Sequence, residues 1–233
     1  MNLLQLSCIS SIVGALSYLI GDILIVGFIP NPEKYSLLTK KYRDKITYLD
    51  LSYLMLDGSA KRLMWGAIFG MIGTPFLFGS LYLQSYIFYN LPKKMYYVAL
   101  SLSVISISIS ALAHSAFFFV GELYKLIFKC DVSSHESILL TGNLFTKMLY
   151  CAWYPAVFCG LIANTMITVS IFFKNSVLPK WAVSMNQILL CIIFVIIRPH
   201  LPKFLEEYLY GAAFNIASTI AQSVITSIVW NGE

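Results

Sequence analysis

The sequence predicts an all-α membrane protein: a six-transmembrane-helix bundle with an amphipathic surface helix between spans one and two. Three observations carry this reading. Hydrophobic residues fill 58% of the 233 positions and charged residues only 12%, about half the charge fraction usual in a soluble domain. The apolar residues fall into six blocks, each of a length that can cross about 30 Å of hydrocarbon. The blocks also lack the strict alternation that a spanning β-barrel strand of about ten residues requires. Only residues 103–110 alternate, and they lie inside a longer apolar run, so they too read as helix.

The chain reads as one integral membrane domain over residues 1–233, with spans at 4–29, 63–89, 96–120, 148–173, 181–197 and 209–230. The first span has a stripe of small residues, Ser7, Ser10, Gly14, Ser17 and Gly21, which admits a neighbouring backbone. The long connection after it holds the surface segment, residues 46–58. Ile46, Leu49, Tyr53 and Leu56 share one helical face there, and Asp50 and Asp57 another. Asp57-Gly58-Ser59 breaks that segment and caps the second span. The second span carries Gly66 and Gly70 in a GxxxG pattern, which serves helix pairing within a chain or a homo-oligomer. Thr74-Pro75 follows, and Pro75 frees a carbonyl in the turn before it. The third span runs on toward Phe128. Pro155 is expected to kink the fourth span. The fifth, 181–197, is the shortest.

Charge sets the orientation. The loops after spans one, three and five hold seven, three and two of the 16 Lys and Arg residues. That side is expected to be cytoplasmic, with both termini outside. The net charge of +5 is scattered between apolar blocks, as in a protein meeting lipid headgroups. No Arg-rich stripe with stacking aromatics is present, so nucleic acid is not an expected partner; membrane lipid is. The five cysteines, at 8, 130, 151, 159 and 191, lack a C-x-x-C spacing and read as small buried hydrophobes. A cleaved signal peptide is not expected, because the first run has no basic n-region and is too long for an h-region.

The polar residues inside the spans carry the functional information. Asp22 lies about seven residues from the cytoplasmic end of the first span. There an Asp costs roughly 2.5–3.5 kcal/mol on insertion scales, so it must face protein or a wet cavity. Ser11, Ala15, Tyr18 and Asp22 share its helix face. In the third span Ser103, Ser106, Ser110 and His114 form one face, continued by Glu122. The fourth adds Tyr154, and the sixth adds Asn215, Ser218, Gln222 and Thr226. Asp22, His114, Tyr154 and Asn215 agree in depth and are expected to line one ligand cavity, with Glu122 at its mouth. Asn164, Asn186 and Gln187 mark a second polar region in the outer half. The alternative for all of these is packing glue, worth about 0.6 kcal/mol per hydrogen bond between membrane helices.

No HExxH, GxSxG, Walker or dinucleotide-binding motif occurs. His114, His135 and His200 fall at different depths and make no metal set, and no cofactor is expected. His135-Glu136 reads as an exposed loop and His200 as interfacial.

Gly21-Asp22, His114, LPKWAVSMN at 178–186 and GAAFN at 211–215 resemble an uncharacterised six-helix family of bacterial membrane proteins, over nearly the whole chain. The resemblance implies a bacterial plasma membrane and the same polar positions, and carries no reaction with it. Four functions compete. The first is binding of a small or amphipathic ligand in the cavity, as a sensor or carrier. Asp22 then acts as charge or proton partner, His114 as the pH-sensitive group, and Tyr154 and Asn215 as orienting groups. The second is an enzyme modifying a lipid or isoprenoid by Asp22/His114 acid–base chemistry, with Glu122 as an alternative base. The third is a secondary transporter, against which the non-corresponding Pro75 and Pro155 weigh. The fourth is a membrane scaffold.

Overall fold

The first helix, α1 (Leu3–Val26), starts at a capping box. Asn2 accepts from the Gln5 amide at 2.9 Å, and the Gln5 side chain accepts from the Asn2 amide at 3.0 Å. At its other end the Arg62 guanidinium donates to the carbonyls of Ile23, at 2.7 Å, and Gly27, which a helix terminus leaves without partners. The computed structural model describes residues 1–47, 49–172 and 176–231, without the side chains of Leu49 and Asp50.

The other helices are α2 (Leu49–Tyr53), α3 (Ala60–Gly79), α4 (Leu81–Phe88), α5 (Lys93–Leu126), α6 (His135–Phe172), α7 (Gln187–Ile197), α8 (Lys203–Leu209) and α9 (Ala213–Asn231). No strand occurs among the described residues. Five helical segments are long and apolar enough to cross a membrane: α1, α3 with α4, α5, α6 and α9. The protein therefore has the build of an integral membrane protein.

The α3–α4 break has a specific cause. The Ser7 hydroxyl of α1 accepts from the Leu83 amide at 2.8 Å and donates to the Gly79 carbonyl at 2.7 Å. Those two groups would otherwise bond each other, so Ser7 is inserted into the helical ladder. Around Pro75 the helix continues, and Thr74 donates to the Gly70 carbonyl at 3.1 Å. The fourth long helix likewise continues through Pro155.

Neighbouring helices alternate in direction. Gly21 meets Gly66 while Ser17 meets Gly73, so α3 is antiparallel to α1. Leu63 meets Gly121 and Ser85 bonds Tyr96, which turns α5 against α3–α4. Tyr124 meets Gly142 and Ser106 meets Gly160, which turns α6 against α5. Asp22 bonds Asn215 and Ser11 bonds Gln222, so α9 is antiparallel to α1. The start of α1 and the end of α9 therefore lie at the same end of the bundle. We call it the terminal end and the other the loop end.

Each end has its own apolar core. At the terminal end Leu4 and Cys8 pack with Leu83, Phe88, Ile171 and Val229. At the loop end residues 27–58 fold onto α5 and α6, where Leu38, Met55, Leu63, Tyr124 and Leu149 are fully buried. Asn143 of α6 holds this segment by its backbone. It accepts from the Thr47 amide at 2.9 Å and donates to the Lys45 carbonyl at 2.7 Å, while Tyr124 donates to it at 3.1 Å. Asp57 accepts from Lys34 and Tyr35, and this bond holds the Lys34 ammonium above the usual lysine range.

Four expectations change. The fifth block is not one long helix: a 3-10 segment, Lys180–Met185, precedes the 11-residue α7. Asn186 causes the change, because its side chain caps α7 by accepting from the amides of Ile188 and Leu189. The fourth span starts at His135, 13 residues before the predicted Met148, and its predicted end at Phe173 lies outside the described residues. Among its described residues the surface segment 46–58 is α-helical only at Leu49–Tyr53, and the predicted faces through Leu49 and Asp50 lie outside the described side chains. Ile46 and Leu56 are buried in the loop-end core. Finally, His135 is not exposed but 5% accessible. Its Nε2 lies 3.1 Å from the Cys130 carbonyl, and its Nδ1 lies 3.0 Å from the Tyr42 hydroxyl. One tautomer satisfies both contacts: Nε2–H donates to Cys130, and Tyr42 donates to Nδ1.

Two outcomes test this packing. A Cβ at Gly70 would stand 2.2 Å from His114 Cδ2, whereas one at Gly160 would meet only the Ser106 hydroxyl at 2.9 Å. Gly70→Ala should lower the melting temperature in detergent by an overpacking cost of about 1–3 kcal/mol, and Gly160→Ala by clearly less. Asn143→Ala removes its bonds to the exposed Lys45 and Thr47 backbone groups and should cost about 0.5–1.5 kcal/mol per bond. Faster amide exchange confined to residues 42–58 would locate that loss.

Candidate functional site

Between the two apolar cores lies a polar layer, and its centre is Asp22. The approach of α1 to α3 brings it there. Gly21 packs on the Gly66 carbonyl, and Gly66 packs on Gly21, Leu24 and Ile25. Gly70 then leaves the space that the His114 ring fills. Both residues of the GxxxG pattern are thus used within the chain. His114 is further held by the Tyr18 ring, edge-on at 4.4 Å. Tyr18 in turn bonds Thr74 at 2.8 Å. Because Thr74 donates its own proton to Gly70, the Tyr18 hydroxyl is the donor.

Asp22 meets two partners. Asn215 Nδ2 donates to Oδ2 at 2.5 Å. His114 Nε2 stands 3.2 Å from Oδ1, but the approach is not aligned as a hydrogen bond. That Nε2 is buried and has no hydrogen-bond partner. Since a buried unpaired polar atom costs about 1–3 kcal/mol, this nitrogen marks a place where a further group is wanted.

A cavity of about 220 Å³ opens beside the pair. Asp22, His114, Asn215, Ser110, Phe214 and Trp153 are among its walls. A second cavity, of about 100 Å³, continues toward the terminal end between Ser103, Asn164, Gln187, Ser218 and Gln222. The two share Tyr18, Ser106, Ser110, Phe214 and Asn215, so they form one seam. On the loop side a groove of about 490 Å³ is walled by Tyr53, Tyr150, Trp153, Tyr154 and Tyr210. It shares Leu51 and Trp153 with the Asp22 cavity.

The structure brings together three of the four residues matched by depth: Asp22, His114 and Asn215. Tyr154 is 39% exposed and lies in the aromatic groove, outside the Asp22 cavity. Its neighbour Trp153 faces that cavity instead. One residue along a helix turns a side chain by about 100°, a difference that depth alone does not reveal. Glu122 pairs with Lys125 at 2.7 Å, and Lys125 also donates to the Gly58 carbonyl. That carboxylate therefore sits under the loop-end core. Asn186 caps α7 and donates to Thr168 at 2.9 Å. The sequence marked Ser103, Ser106 and Ser110 as one face, but left Trp153 and Phe214 unmarked because aromatic residues in a span usually face lipid or core. Among the described residues no group of three or more His, Cys, Asp or Glu is placed to hold a metal.

The chain matches no curated protein and no solved structure. A family model matches residues 1–231, and by that match the chain belongs to DUF6796, a family of unknown function.

Proposed function

We propose that this membrane protein binds a small or amphipathic ligand in the cavity beside Asp22, as a sensor or carrier. The observation that carries the reading is the buried His114 Nε2 with no hydrogen-bond partner, 3.2 Å from a carboxylate and on the wall of a cavity of about 220 Å³. If the polar groups served only as glue, they would be paired with one another and the space filled. In this reading Asp22 supplies charge, His114 supplies a second polar contact and Asn215 holds the carboxylate in place. Tyr154 contributes from the adjoining aromatic groove. The 3.2 Å approach also fits an acid–base pair, which favours a lipid-modifying enzyme as the second reading.

The same proposal includes six crossings. The segment 176–200 starts with Leu178 and Ala182 in the terminal-end core and finishes where Arg198 donates to the Tyr210 carbonyl near the start of α9. Six 3-10 residues and 11 α-helical ones span about 28 Å, close to the thickness of a bilayer core. An even number of crossings also agrees with α1 and α9 being antiparallel. With the Lys- and Arg-rich loop end in the cytoplasm, both termini face outward, in a bacterial plasma membrane. Residues 46–58 then lie at the cytoplasmic surface as a cover for α5 and α6.

Two measurements test these points. Native mass spectrometry of protein extracted from its own membrane should show a bound mass that Asp22→Leu loses. Equal occupancy in a folded Asp22→Leu protein would sink the ligand reading, and a chemically altered bound mass would move it to the enzyme. In a variant with its five cysteines replaced, an impermeant maleimide should label Asn2→Cys and Asn231→Cys on intact cells and spare Lys40→Cys. Labelling of only one terminus would mean an odd number of crossings.

A further inference from the structure

We infer that the ligand of this seam is an organic ammonium ion: a protonated amine with N–H donors and an apolar tail. The inference rests on the ligand reading above and adds its chemical class. The Ser103 hydroxyl donates to the Ala99 carbonyl at 3.0 Å, Ser106 to Ala156 at 2.7 Å and Ser110 to the Ser106 carbonyl at 2.7 Å. Asn164 Nδ2 donates to the Gly160 carbonyl at 2.9 Å, and Gln187 Nε2 reaches the Phe214 carbonyl at 3.4 Å. Each of these side chains has spent a proton on backbone, so each is left with oxygen lone pairs. All five line the seam. The three serines therefore offer the seam acceptors, Asn164 and Gln187 each keep an oxygen and one N–H, and Gln222, whose oxygen accepts from Ser11, keeps its NH2. Among the described residues the one acidic side chain lining the seam is Asp22.

Beside the Asp22 carboxylate and the serine oxygens, a ligand that donates hydrogen bonds and carries positive charge is favoured. The Asp22–His114 geometry agrees. A protonated His114 would direct its Nε2 proton at Oδ1, and the required alignment is missing. A neutral His114 with its lone pair on Nε2 leaves two acceptors 3.2 Å apart. A donor shared between them, such as one N–H of an ammonium group, satisfies both. The carboxylate also gains a countercharge in a layer where an unpaired ion is costly.

The aromatic groove supports the same class. Tyr150, Trp153 and Tyr154 stand together, with ring centroids 5.0–6.1 Å apart. Aromatic faces attract ammonium groups electrostatically and also accept apolar tails. Trp153 lies on both the groove and the Asp22 cavity. An amine at Asp22 can thus have its tail lie across Trp153 into the groove. An anionic ligand at this position meets a carboxylate of its own sign.

Trp153 is also the reporter. In a protein with Trp65, Trp181 and Trp230 replaced by Phe, it is the one remaining tryptophan. The protein in lipid nanodiscs is titrated at constant ionic strength with n-hexylammonium, n-hexanol, n-hexanoate or sodium chloride. Hexylammonium should change Trp153 emission saturably, at least about tenfold more tightly than hexanol, and hexanoate and sodium should have no saturable effect. Asp22→Asn retains the shape and the Asn215 contact, so it should fold and bring the two affinities together. Hexanol or hexanoate binding as tightly as hexylammonium, or a saturable response to sodium without preference for the amine, overturns the ammonium class and leaves the ligand cavity standing. No saturable response to any probe overturns the ammonium class, and the bound mass in the Asp22→Leu comparison decides separately whether the ligand cavity stands.

Discussion

A carboxylate in the middle of an apolar layer must find partners, and most of the architecture around α1 follows from that constraint. Asp22 costs roughly 2.5–3.5 kcal/mol in a lone helix. Asn215 supplies an amide on one side, and the His114 imidazole stands 3.2 Å away on the other. The imidazole arrives only because Gly70 has no side chain, since a Cβ there would stand 2.2 Å from the His114 ring. The α3 helix is close enough to form that seat because Gly21 and Gly66 let the two backbones approach each other. The amide arrives because α9 runs antiparallel to α1, joined also by the Ser11–Gln222 bond at 2.6 Å. Small residues, helix direction and polar groups are thus one solution to one electrostatic problem.

The result reverses the usual layering of a folded chain. Apolar cores occupy the two ends, and the polar atoms and open volume occupy the waist between them. Lipid is as apolar as leucine, so burying more leucine at the waist adds little drive to association. Close approach and interhelical hydrogen bonds supply the association there. At the loop end an ordinary apolar core forms, with Met55, Leu63 and Tyr124 fully buried.

Much of this was legible because a membrane imposes simple rules. Length and hydropathy marked α1, α3–α4, α5 and α9, and the depth of Asp22, His114 and Asn215 predicted that they share a layer. Azimuth was not legible. Trp153 rather than Tyr154 faces the cavity because of how α6 crosses α5, and no local pattern encodes that crossing. The first 13 residues of α6 were missed because HESILLTGNLFTK is too polar to pass as a span. Those residues serve instead as the platform for residues 27–58. His135 was read as solvated for the same reason, although Tyr42, 93 positions away, is its partner. In the fifth block Asn186 and Gln187 stand out as polar positions within one span, and the cap that Asn186 makes divides it. A single side chain that satisfies two amides outweighs a propensity spread over many residues.

The separation of Asp22 from its partners along the chain has a consequence for biosynthesis. During synthesis α1 reaches the bilayer first, about 92 residues before His114 and 193 before Asn215. Until His114 is made its carboxylate has no native neighbour, and its one aligned hydrogen bond awaits the last helix. The first segment is then the natural client of any insertion factor that shelters half-polar helices. A ribosome stall before α9 would leave a nascent chain whose opening helix is still marked, by one exposed charge, for quality control.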